Sequence, residues 1–165
     1  MTASSSRSPA AAPRAVVLAL GNEWRQDDGA GLFVADLLDR SPACRLPAGV
    51  VLRRARGELA EVLDALAVAP RLVAIDAASS GAPAGTLHRH DLADGPLPAE
   101  LAGLSSHGLG LAEALALAAR LRQTLPRITV LAVEGAVFGQ GSGLSPAVER
   151  ACHRAAELTL AVLDE

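Results

Sequence analysis

Ala15-Val16-Val17-Leu18-Ala19-Leu20 runs into Gly21-Asn22-Glu23-Trp24-Arg25-Gln26-Asp27-Asp28-Gly29-Ala30-Gly31, and then into the apolar residues from Leu32 to Leu38. Six apolar residues, a glycine-rich turn and a second apolar stretch at helical spacing read as strand, turn and helix. In an open parallel sheet such a turn lies at the carboxyl edge of the strands, where ligand crevices form. Two carboxylates, Asp27 and Asp28, are therefore delivered to the place where a site is expected.

Working outward, four more short apolar segments read as strands: Val50–Ala55 and residues 72–75, 86–90 and 128–133. Helices are expected from Asp28 or Gly29 to about Asp39, over 58–67 and over 110–122, with Leu111, Leu115 and Ala118 on one row of the last and Leu117 and Leu121 on another. A final helix starts at Ser145 as N-cap with Pro146 in the first position. Only residues 77–85 separate the third and fourth strands, fewer than the dozen or so a parallel crossover needs, so the fourth strand is expected to run antiparallel. The fold class is α/β: a five-stranded, mostly parallel twisted sheet with helices on both faces.

Composition narrows the function classes. The chain has 165 residues, half of them hydrophobic, enough for one domain with a sizeable core. All 15 basic residues are arginine and the formal net charge is −3, which leaves no basic footprint for nucleic acid or polybasic patch for a membrane, and excludes a lysine nucleophile. Cys44 and Cys152 form no Cys-x-x-Cys pair, so reduced thiols and a cytoplasmic setting are expected. Residues 1–14, rich in Ser, Ala and Pro, read as a disordered tail, and 15–165 as the domain.

Asp76 is expected to end the third strand, on the same edge as Asp27 and Asp28, and His107 precedes the third helix in Ser105-Ser106-His107-Gly108. Two carboxylates and an imidazole would make an open site for a divalent metal such as zinc or nickel. Each has an ordinary alternative: Asp28 as a helix cap, Asp76 as a turn former, His107 as a loop residue. Phosphate binding is disfavoured, because the turn lacks Gly-x-Gly-x-x-Gly and a Gly-Lys-Ser/Thr end. Gly141-Ser142-Gly143 lacks the flanks of a nucleophile elbow, and Cys152-His153 are adjacent on a helix and so do not face each other.

Taken together, Gly21-Asn22 with Arg25, Asp27-Asp28-Gly29 and Gly31; Asp76-Ala77 with Pro83, Gly85 and Thr86; Ser106-His107-Gly108-Leu109; and Val133-Glu134 leading to Gly143-Leu144-Ser145-Pro146 resemble the hydrogenase maturation endopeptidases. The resemblance implies a phosphorylase/hydrolase-like fold and an aspartic-type, metal-dependent hydrolase that trims the carboxyl-terminal extension of the large-subunit precursor of a nickel-iron hydrogenase. It implies Asp28, Asp76 and His107 as both catalytic and metal-holding residues, with nickel contributed by the precursor and another divalent metal able to occupy the isolated protein. The expected partner is that precursor, and the protein is expected to be monomeric. The alternative function is a non-catalytic, metal-sensing chaperone that docks on the precursor without cutting it. Asp27 would orient its neighbour or face solvent, Glu134 would line the crevice or form a turn, and Trp24 would contact the precursor or, by preference, anchor the loop.

Overall fold

The computed structural model describes residues 12–98, 101, 111–121 and 124–165. Its strands are β1 (Ala15–Leu20), β2 (Val50–Ala55), β3 (Arg71–Ala78), β4 (Leu87–Asp91) and β5 (Arg127–Glu134). The α-helices with described bounds are α1 (Ala30–Arg40), α2 (Leu59–Val68), α3 (Leu111–Leu121) and α4 (Pro146–Asp164). The strands form one sheet in the order β2-β1-β3-β5-β4. β1 pairs in parallel with β2 and β3, β3 in parallel with β5, and β4 antiparallel with β5, as the short connection between the third and fourth strands required.

Every residue of β1 is buried, the mark of a strand covered on both faces. Alternation sorts the side chains into two cores. Val16, Leu18 and Leu20 join Leu72, Ala74, Ile128 and Val130 under α2 and α3. Ala15 and Val17 join Val73, Ile75, Leu131 and Val133 under α1 and α4. Arg14 is tied to the body, its guanidinium donating to the Leu163 carbonyl at 3.0 Å.

Local chemistry explains the helix ends. Glu58 and Glu61 form a reciprocal capping box that starts α2 one residue later than the apolar pattern suggested. Ser145 occupies the N-cap position of α4 and Pro146 follows it, yet the serine makes no side-chain cap bond because its hydroxyl is engaged elsewhere. On α3, Leu111, Leu115 and Ala118 are buried, but Leu121 is 70% exposed, so the second apolar row is not covered along its length; Gly110 and Arg122 lie outside the described residues. Among the described residues no helix is long and apolar enough to cross a membrane.

Candidate active site

The turn after β1 is a short 3-10 helix, Gln26–Gly29, followed directly by α1, whose N-cap is Gly29 rather than Asp28. Asp28 is thus not spent on capping. Gly21 makes the turn possible: its φ is +142°, and a Cβ there would lie 2.2 Å from the Asp28 carbonyl oxygen. Gln26 holds a left-handed φ of 53°, a strained value for a residue with a side chain, stabilised by its N–H donating to Gly141 O at 3.1 Å.

Asp76 lies within β3, which continues to Ala78, instead of ending the strand. Parity places it on the α2 and α3 side of the sheet, with Ala74 and Ala78. The residue is 2% exposed. Its Oδ1 accepts the Ala77 N–H at 2.8 Å, whereas Oδ2 is buried without a hydrogen-bond partner among the described residues. Burial drives the Asp76 carboxyl well above its ordinary range, and the neighbouring Asp28 charge pushes it the same way, against the Ala77 hydrogen bond. The 3-10 turn bearing Asp28 packs against β3, so two of the three expected site residues come together. Asp28 is itself buried. His107 lies outside the described residues. Among the described residues no group of three or more His, Cys, Asp or Glu gathers as a metal site.

Asp27 points away from that pair and does structural work. Its Oδ2 accepts the N–H groups of Ala136 and Val137 at 2.8 and 3.0 Å, its Oδ1 accepts Ser145 N–H at 2.7 Å, and the Ser145 hydroxyl donates to the same carboxylate. The solvent-facing alternative is excluded by its complete burial. Burial alone would raise this carboxyl, but the donors from Ser145, Ala136 and Val137 outweigh it and hold it below the ordinary value. Arg25 adds a bond to Phe138 O at 3.1 Å, so the first and last loops of the edge form one rigid platform.

Asp27→Ala leaves several buried N–H groups unpaired, and at about 1–3 kcal/mol for each such group we expect a loss of roughly 3 kcal/mol or more in urea unfolding. Because the folded carboxyl titrates lower than the unfolded one, the stability Asp27 contributes is present above the ordinary value of 3.8 and is lost as pH falls through the folded value. The variant should therefore lose most at neutral pH and converge with the parent in acid. A neutral-pH midpoint equal to that of the parent would contradict the clamp.

Glu134 is a second anchor, almost fully buried. It accepts Ser80 N–H, Gly81 N–H and the Ser80 hydroxyl at 2.7–2.9 Å, with His88 Nε2 3.2 Å away. These bonds pin the loop that follows β3. No pattern in the sequence announces this partnership, since its members come from three separate segments. Trp24 departs from the preferred expectation: at 64% exposure its ring does not anchor the turn, which is held instead by the residue's main chain, its N–H donating to Asn22 Oδ1 and its carbonyl accepting Gly141 N–H, each at 3.0 Å. Burial pushes the Cys152 thiol up to about 12, and its sulfur contacts Ala30 O, so it serves packing and not nucleophilic chemistry.

The fold is shared with known proteins. A family model described as HycI, hydrogenase maturation protease, matches residues 58–162, a span that contains Asp76. Among solved structures, the hydrogenase maturating endopeptidase HybD from E. coli superposes with a TM-score of 0.76 at 25% identity, covering 92% of each chain. The hydrogenase 2 maturation peptidase from Thaumarchaeota archaeon SCGC_AB-539-E09 is 28% identical with a TM-score of 0.66, over 91% of this chain and 97% of that one. An endopeptidase from E. coli, solved in solution, is 28% identical with a TM-score of 0.75, over 89% and 91%. The search of curated proteins finds no match. With the family model spanning most of its length and a fold shared with these enzymes, the chain belongs to the hydrogenase maturation protease family of endopeptidases.

Proposed function

We propose that this endopeptidase removes a carboxyl-terminal extension from the large-subunit precursor of a nickel-iron hydrogenase, and that nickel arrives as part of that substrate. The observation that carries the reading is the buried, unpartnered Oδ2 of Asp76 beside Asp28. A buried polar atom without a partner among the described residues calls for an explanation, and a bound cation is one that this donor set of hard carboxylate oxygens fits. Asp28 and Asp76 would hold the ion, joined by His107 as the resemblance implies. When bound, nickel supplies Lewis acidity beside the scissile peptide.

The chain's own residues set the conditions for that event. With Oδ1 taken by Ala77 N–H, burial favours the protonated form of Asp76, and a cation held at Oδ2 would compete with that proton. Asp27 and Glu134 hold the flanking loops in place, so the two acids need little rearrangement to act, and orientation contributes much of the rate. Because the Asp76 carboxyl titrates high, cleavage is expected to weaken as pH falls and protons compete for Oδ2.

The test is mass spectrometry of nickel-loaded and nickel-free precursor after incubation with the purified protein. Loss of a carboxyl-terminal peptide from the loaded form alone, abolished by Asp28→Ala, is the expected result. Unchanged mass in a stable complex would replace the protease with a docking chaperone, and full activity of Asp28→Ala would remove that residue from the site.

A further inference from the structure

We propose that the substrate segment next to the scissile bond binds as an added strand along the free edge of β2, with one side chain lodged against Trp24; this rests on the endopeptidase reading above. Among the described residues β2 is the outermost strand on its side of the sheet, and it neighbours β1, whose terminal turn carries Asp28. Gly21 N–H donates to Ala55 O at 3.2 Å, so the main chain of Ala55 faces β1. Main-chain groups alternate along a strand, and those of Arg54 and Leu52 therefore face outward. One residue further on, Arg56 N–H is already taken by Glu61 Oε2 at 2.9 Å, which ends the open edge just where the turn begins.

At that end lies a cleft of about 350 Å³, lined by Asn22, Trp24, Leu32, Arg54, Ala55 and Arg56 among others. It joins the end of β2 to residues 21–24, the first part of the turn that goes on to carry Asp28. Trp24 offers its ring there at no cost to the fold, because the turn is held by main-chain bonds that do not involve the indole. The arginines along the strand are the usual guard against unwanted edge pairing, yet Arg54 is bound sideways to Asp36 and Asp39, which leaves its main chain open. A protease must hold its substrate extended at the cut, and strand addition does this with main-chain bonds for affinity and a pocket for selection. The occupant is thus an extended piece of the precursor chain, with an apolar or aromatic side chain against the exposed indole.

Two measurements on the full chain with the tail-bearing, nickel-loaded precursor test the inference. In steady-state cleavage, Trp24→Ala should raise KM about tenfold with kcat changed far less, and Trp24→Phe should recover part of the loss. Arg54→Pro should raise KM more than Arg54→Ala, since only proline deletes the main-chain donor while both lose the side chain. Amide hydrogen exchange on the unaltered protein should show new protection at Leu52 and Arg54 when precursor is added, a readout independent of any variant's folding. Cleavage at normal KM by Trp24→Ala, with β2 exchange unchanged by precursor, would overturn the added strand and leave the protease reading intact. Failure of the unaltered protein to cleave at all would overturn both.

Discussion

Asp76→Asn is expected to abolish precursor cleavage and, in the same molecule, to raise the melting temperature of the metal-free protein. The first effect follows from removing a carboxylate that the proposed site requires. The second follows from burial. A carboxyl enclosed among apolar side chains, with one oxygen unpartnered and Asp28 nearby, resists ionisation, and its folded value lies well above that of the unfolded chain. Between those two values the folded state binds more protons than the unfolded state, so stability declines as pH rises across the interval. Asparagine keeps the shape and an acceptor for Ala77 N–H but has no proton to lose. The variant's advantage should therefore be absent in acid and grow towards neutral pH. Each ~1 kcal/mol gained moves the melting temperature of a domain of this size by about 2–4 °C, and a rise of at least that size is expected in calorimetry at pH 7.5. Equal melting temperatures at pH 4 and pH 7.5 would mean that Asp76 is not held neutral by its surroundings, and the metal argument would lose its main support.

Gly31→Ala is expected to be among the most damaging single substitutions near the site. A Cβ at this position would lie 2.2 Å from the carbonyl oxygen of Leu20 and 2.5 Å from that of Ile75. Both oxygens belong to main chain, in β1 and β3, and neither can swing aside as a flexible side chain would. Helix α1 must move off the sheet, and the 3-10 turn that carries Asp27 and Asp28 moves with it. We expect a loss of more than ~3 kcal/mol, at the upper end of overpacking effects, together with loss of cleavage. Urea unfolding would measure it directly. A midpoint within about 1 kcal/mol of the parent would show that α1 sits less tightly on the sheet than these separations require.

Much of this architecture can be read along the chain. β1 and β2 have the bounds their apolar runs suggest, and β1 does so because a strand between two covered faces has little freedom in what it displays. The direction of β4 follows from the length of one connection. β3 and β5 reach further than their apolar runs, since their last residues, Asp76 to Ala78 and Glu134, are polar or small and pair by main-chain bonds that hydropathy does not encode. The convergence of Asp28 and Asp76 was legible because one follows a strand and the other lies near the carboxyl end of its parallel neighbour. The roles of Asp27 and Glu134 were not. Each is defined by donors more than fifty residues away, and a carboxylate that accepts four hydrogen bonds looks the same in a sequence as one in water. Trp24 misled for a related reason: a large ring suggests burial, and only the turn's own bonding reveals that none is needed.

The bond from Asp27 to Ser145 has a consequence for how the enzyme is born. A ribosome makes residue 27 long before residue 145, and every donor that fixes the Asp27 carboxylate belongs to the later portion. During synthesis, the loop presenting Asp28 is therefore without its brace until residues 136–145 have emerged. A nascent chain that stops short of Ser145 is expected to hold its acid pair less firmly than the finished domain.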